Sequence, residues 1–427
     1  MNFFKQWGKF MMMGSQALAQ WEINNAKVIF GDKKRIVLLA LLVMTAIAGG
    51  IAFADDIAGS MPDFIGGHHA YSPAYYNMGI FVVSILVGLL AGLITGCIGA
   101  GGGFIIAPAL MSAGIKGILA VGTDLFHIFA KAIMGSVIHR KLGNVSVPLA
   151  IVFILGALVG ATCGGLLNRY LYELNPILSD AFISSVYVFM LGFLGIYALT
   201  DFFKSKNPGA AADLDVADSA DPTLGGLPRT IQSVNIPPMV KFDFDITPGG
   251  RKISWVFLVL SGALVGLAAG IMGVGGGFLT FPIFVYVMGV SSMTTVGTDI
   301  FQIIFTAGYA SITQYAIYGF IFYTLAIGML LGSLLGIQIG ALVTKVVSDT
   351  TIRGFYAIAI LAGFVNRLFA LPSKLIQMEI IPWSMQTGDF LNSIGIWLFF
   401  VVVGIFGLWV FSIFFKNMGV LKNEEAK

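Results

Sequence analysis

An all-α integral membrane fold built of two inverted repeats is what this sequence predicts, on three observations. First, 57% of the residues are hydrophobic and 11% charged, with a mean hydropathy of +0.91. A soluble domain carries about 25% charged residues and could not hide so much apolar surface from water. Second, two strings each occur twice, in the same order. Gly96-Cys97-Ile98-Gly99-Ala100-Gly101-Gly102-Gly103-Phe104, with Pro108 beyond it, returns as Gly270-Ile271-Met272-Gly273-Val274-Gly275-Gly276-Gly277-Phe278 with Pro282. Val121-Gly122-Thr123-Asp124-Leu125-Phe126 returns as Val296-Gly297-Thr298-Asp299-Ile300-Phe301. The copies lie 174 and 175 residues apart, so the chain is a tandem duplication. Third, the apolar runs that follow the glycine clusters, 103–114 and 277–290, fall short of the roughly 20 residues a crossing needs and read as half-helices or re-entrant segments.

Full-length apolar runs fall at 36–54, 79–97, 117–138, 146–171, 177–203, 253–273, 293–318, 320–345, 351–371 and 391–415. The basic clusters orient them by the positive-inside rule. Lys33, Lys34 and Arg35, then His139-Arg140-Lys141, Lys204 with Lys206, Arg251-Lys252, and Lys416 with Lys422 all fall on one side if each short segment counts as a crossing. Each repeat then has an odd number of crossings, so the two halves are inverted. The chain divides into an N-terminal extension, first span and outer loop (1–78), a first repeat (79–203), a polar cytoplasmic linker (204–252), a second repeat (253–371), and an outer loop, final span and tail (372–427). The stretch from Lys33 to Ala52-Phe53-Ala54 resembles a signal peptide, but the extension before it argues for a retained span. The linker, with Asp213, Asp215, Asp218 and Asp221, reads as a solvated connector. Paired glycine-broken segments in corresponding halves mark the binding site of a carrier. The expected class is therefore an inverted-repeat polytopic transporter with paired glycine-broken half-helices.

Gly99, Gly101, Gly102 and Gly103, and Gly273, Gly275, Gly276 and Gly277, free the backbone to leave its helix. Their N–H groups, aided by the positive end of a half-helix, suit an anion; the alternative is close helix packing. No lysine with serine or threonine follows, so a nucleotide loop is excluded. Asp124 and Asp299 are costly in a span and should face the interior, either as a proton or cation relay or as acceptors for amides freed at the breaks. Thr123 and Thr298, which precede them, are candidate substrate contacts. His127 and Lys131 share the face of Asp124, where the second repeat has Gln302 and Thr306 beside Asp299. Lys131 is the candidate charge ligand, with His127 and Gln302 lining the same site. Cys97 reads as an apolar filler, and Arg169 and Arg367, the latter next to Asn366, as snorkelling arginines.

The doubled glycine string followed by Val-Gly-Thr-Asp resembles the sulfite exporter TauE/SafE family of membrane permeases, over roughly 79–371. The resemblance implies transport of a small sulfur-containing anion such as sulfite, sulfoacetate or another sulfonate, with the glycine breaks at the pore and Asp124 and Asp299 beside them. The long linker, the N-terminal extension and the extra terminal spans depart from the family pattern. Secondary transport is expected, since no ATP-binding motif is present. Four histidines and two cysteines in no metal or triad spacing argue against an enzyme, and no cofactor or metal is expected. The partners expected are a small anionic substrate and the lipid bilayer, without nucleic acid, in an architecture compatible with a homodimer; the location expected is the cell inner membrane.

Overall fold

The computed structural model describes residues 41, 62–67, 77–98, 103–141, 145–206, 227–243, 250–343 and 346–417. The expected first span at 36–54, its signal-like end, and Gly99, Gly101 and Gly102 lie outside the described residues.

The first repeat comprises α1 (Met78–Ile98), α2 (Gly103–Ser112), α3 (Gly117–Lys141), α4 (Val147–Leu174) and α5 (Pro176–Lys206). A short α6 (Leu227–Ser233) and a two-stranded hairpin, β1 (Met239–Phe242) with β2 (Arg251–Ser254), lead to the second repeat. That repeat comprises α7 (Trp255–Met272), α8 (Gly277–Pro282), α9 (Ser292–Ala310), α10 (Tyr323–Val343) and α11 (Asp349–Gln377), and α12 (Met385–Lys416) follows. Among the described residues seven helices, α1, α4, α5, α7, α10, α11 and α12, are long and apolar enough to cross a membrane. The two short helices are where the sequence places them. At 1.5 Å per residue the ten residues of α2 reach about 15 Å, half the hydrocarbon thickness. Pro282 ends the α-helical ladder of α8, which continues as a π turn over Ile283–Val287.

Helix direction follows from which residues the glycines touch. A Cβ at Gly192 would meet Phe364 and one at Gly195 would meet Leu361, while Gly354 lies against Phe202, so α5 and α11 are antiparallel. Gly122 faces Tyr315 and Gly308 faces Phe129, so α3 and α9 are antiparallel as well. These are the equivalent helices of the two repeats, and their opposition is what inversion requires. The remaining long helices pair across repeats. Gly88 and Gly92 of α1 lie on Met329 and Ser333 of α10, and Gly156, Gly160 and Gly164 of α4 lie on Val259, Ala263 and Leu267 of α7. Both seams run parallel, and α7 returns Gly262, Gly266 and Gly270 to the carbonyls of Phe153, Ala157 and Ala161. Small residues at a spacing of four let the backbones touch, which is how helices associate where lipid offers no hydrophobic drive.

The linker is more than a connector. Its last part alternates by twos: Val240, Phe242 and Ile253 are buried, and Lys241 is exposed. Beyond β1, Asp243 accepts from Ser291 N at 2.9 Å and from Ser291 Oγ at 2.8 Å, at the start of α9. Gln232 donates to Met288 O at 2.7 Å and Arg251 to Gly289 O at 2.6 Å. The hairpin thus closes the turn between α8 and α9, whose free polar groups would otherwise be unpaired. The matching turn of the first repeat has its own carboxylate: Asp180 of α5 accepts from Gly117 N at 2.7 Å and pairs with Lys374 at 3.3 Å.

Candidate functional site

The second break is set by three glycines. Gly273, Gly275 and Gly276 have φ of +80°, +70° and +87°, a region that L side chains rarely adopt, so only glycine reverses the chain here without strain. Three neighbouring helices then cap the carbonyls left bare at the end of α7. Asn168 of α4 donates to Gly270 O at 3.2 Å and Ile271 O at 2.9 Å, Tyr187 of α5 donates to Met272 O at 2.5 Å, and Tyr315 donates to Gly270 O. Tyr315 reaches it because α9 ends in a π turn, Ser311–Ala316, that rotates the ring inward. Sequence reasoning did not find Asn168, Tyr187 or Tyr315; each acts on a partner far along the chain.

The two breaks meet. A Cβ at Gly103 would stand 2.9 Å from Ile128 and 3.2 Å from Val274, inside the opposite break, and one at Gly273 would stand 2.8 Å from Val121. Around this junction lie α3 and α9. Thr123, Asp124 and His127 on one, and Thr295, Thr298, Asp299, Gln302 and Thr306 on the other, are all buried, and Lys131 is half-buried.

The two carboxylates have different surroundings. Asp299 accepts from Gln302 Nε2 at 3.0 Å, and Gln302 Oε1 accepts from Thr306 at 2.7 Å. A Cβ at Gly277 would stand 2.7 Å from Asp299 Oδ2, so this carboxylate rests against the first turn of α8. That is the place the sequence offers to a bound anion, and here the protein's own acid shares it. Asp124 has no hydrogen-bond partner on either oxygen; its neighbour is His127 Nδ1, 3.5 Å away.

The threonines act across the repeats. Thr123 Oγ1 accepts from Phe322 N at 3.1 Å, just ahead of α10, and Thr298 Oγ1 accepts from Ser146 N at 3.0 Å, just ahead of α4. Gly122 lets the chain come this close, since a Cβ there would strike Phe320 O. The shared Val-Gly-Thr-Asp string is thus a clasp that holds each repeat to the start of a helix in the other. Thr298→Val should lower the melting temperature of the detergent-solubilised protein by an amount equivalent to about 1 kcal/mol, the worth of one such bond. An unchanged melting temperature would leave the clasp without energetic weight.

A family model for the sulfite exporter TauE/SafE family matches residues 84–367, from α1 into α11 and across both repeats. The chain belongs to that family. Two relatives, both from Bacillus subtilis (strain 168), are each 24% identical. One, named "Probable membrane transporter protein YunE", matches over 280 residues, 64% of this chain and 91% of its own length. The other, named "Probable membrane transporter protein YjnA", matches over 258 residues, 60% of this chain and 87% of its own. No solved structure matches the chain.

Two arginines of this TauE/SafE protein depart from the snorkelling expected of them. Arg169 is buried: Nη1 donates to Gln314 O at 2.7 Å and Gln314 Oε1 at 2.8 Å, and its guanidinium stacks 3.9 Å from the ring centre of Tyr318. Arg367 is buried against Asn366 Oδ1 and Ser112 Oγ, each at 2.8 Å, at the far end of α2. An arginine near the end of an apolar run suggests a route to the surface, but here neighbouring helices supply enough acceptors to hold it inside. Cys97 packs in the α1–α10 seam, its thiol 3.5 Å from Gly340 O.

Proposed function

We propose that the protein is a secondary transporter that moves a small sulfur-containing oxyanion, such as sulfite, sulfoacetate or another sulfonate, across the inner membrane by alternating access, coupled to protons. The observation that carries this reading is the junction of the two glycine breaks between antiparallel α3 and α9, with Asp124, His127 and Lys131 on one side and Asp299, Gln302 and Thr306 on the other. In inverted-repeat carriers the substrate sits where the repeats meet, at discontinuous helices, and each repeat moves against the other. The family supports the sulfur-containing anion. In this reading Lys131 supplies charge to the substrate, the glycine breaks of the two repeats line its site, and the coupling carboxylate is drawn from Asp124 and Asp299.

The test is uptake and counterflow in proteoliposomes, with sulfite, sulfoacetate, taurine, sulfate and a short carboxylate as probes. Saturable counterflow of one sulfur anion supports the carrier; flux without counterflow would make the protein a channel, and preference for the carboxylate would move the substrate to a non-sulfur organic anion. Lys131→Met keeps the apolar stem and removes the charge, so anion affinity should fall about 10-fold or more. Lys131→Arg should retain part of the binding with altered selectivity. Wild-type affinity in the methionine variant, at low and high salt, would remove Lys131 from the site.

A further inference from the structure

Ser333 sets which ring nitrogen of His127 faces Asp124. Ser333 Oγ of α10 lies 2.7 Å from Met329 O and 2.8 Å from His127 Nε2; when its single hydroxyl proton bonds back to Met329 O in the preceding turn, its oxygen accepts from Nε2. In that arrangement the proton of the neutral imidazole is on Nε2, and Nδ1 presents a lone pair. That lone pair faces Asp124 Oδ1 at 3.5 Å, beyond the roughly 2.7–3.2 Å of a hydrogen bond, and neither Nδ1 nor either Asp124 oxygen has a donor. Two acceptors thus confront each other with both side chains fully buried, an arrangement that one shared proton turns into a hydrogen bond.

The second repeat fills the same positions differently. Gln302 stands where His127 does and donates an amide hydrogen to Asp299, while its carbonyl is satisfied by Thr306. No pair of facing, donor-less acceptors is left there. Ser333 is also without a counterpart: it lies on Gly92 as Ala157 lies on Gly266, and Ala157 has no hydroxyl.

We propose that the proton of the transport cycle binds between Asp124 and His127, in the first repeat alone, with Ser333 as the positioning residue that holds the imidazole ready to receive it. Its role in transport rests on the carrier reading above; the site itself does not. The ionisable groups that act on Asp124 are His127 and Lys131 of α3 and Tyr187 of α5. Of the other helices around it, α2 and α7 contain no ionisable residue, α10 has only Tyr323 at its first position, and α9 has Asp299 and Tyr309, with Tyr315 in its π turn. With the proton bound, the pair is neutral and the Lys131 charge can attract an anion; without it, the Asp124 charge competes for that ammonium. Proton and anion are then taken up together.

The test is pH-difference infrared spectroscopy of the purified full-length protein in liposomes, which reads the C=O band of a protonated buried carboxyl without any substrate. Wild type should show such a band; Asp124→Asn should lose it and Asp299→Asn should keep it. Ser333→Ala should weaken the band, because a freed imidazole can move its proton to Nδ1 and donate to an ionised Asp124. No band in wild type, a band that survives Asp124→Asn, or loss in Asp299→Asn overturns the assignment. If Asp124→Asn does not fold, an unchanged band in Ser333→Ala overturns it instead. Absence of counterflow with every probe in the proteoliposome assay would sink the carrier reading and leave the infrared result standing.

Discussion

Gly160→Leu should prevent the protein from reaching a stable, monodisperse state, whereas Gly404→Leu should leave it unchanged. A Cβ at Gly160 would fall on the backbone of Ala263 in α7 and within 2.7 Å of Leu267 N. Backbone atoms in a seam this close cannot give way, so α4 and α7 must separate along three matched contacts at once. Overpacking costs about 1–3 kcal/mol where side chains can shift, and the loss here should exceed that range. Gly404 of α12 has nothing within 4 Å of its Cβ position and is the control. Size-exclusion profiles and thermal melting in detergent read both variants. A Gly160→Leu protein as stable as wild type would mean that the seam does not hold the repeats together.

Gly276→Leu should bring transport to background while the protein still reaches the membrane. At φ +87° a leucine adopts the left-handed region, a cost of about 1–2 kcal/mol, and its Cβ would strike the Val265 side chain. Relief comes by restoring helix through the break, which pulls Gly277 away from Asp299 and Gly273 away from Val121. Gly103→Ala is the milder counterpart, since that Cβ meets the tip of Ile128 at 2.9 Å, a flexible end that can turn aside; it should keep part of the flux. Surface expression and substrate affinity, measured side by side, decide the matter: wild-type affinity in the leucine variant would return the breaks to a packing role.

The features that sequence made legible are those the duplication wrote twice. Two copies of the glycine string located both short helices, because a break repeated at a fixed interval cannot be dismissed as local composition. The buried acids were legible for a related reason, a carboxylate in an apolar run having nowhere to go but inward. What escaped notice was made by single residues reaching across the fold. Asn168, Tyr187 and Tyr315 look like ordinary polar residues of a span until α7 is seen to end beside them. Thr123 and Thr298 were read as substrate contacts, and the structure gives their hydroxyls backbone N–H partners in the other repeat. The linker was misread through its average polarity, although Met239-Val240-Lys241-Phe242 carries the two-residue alternation of a half-buried strand.

The exchange of seam partners between repeats sets a schedule for biosynthesis. Helix α7, when it emerges, finds α4 already in the membrane and can close its seam at once. Helix α1 has no such partner: Gly88 waits for Met329, 241 residues later. At 5–20 residues per second that is a delay of roughly 10–50 s, with a glycine-lined face and its exposed carbonyls bare to lipid or to other nascent helices. Structural symmetry therefore conceals a temporal asymmetry: the half that is made first keeps one of its seams open until the second half arrives.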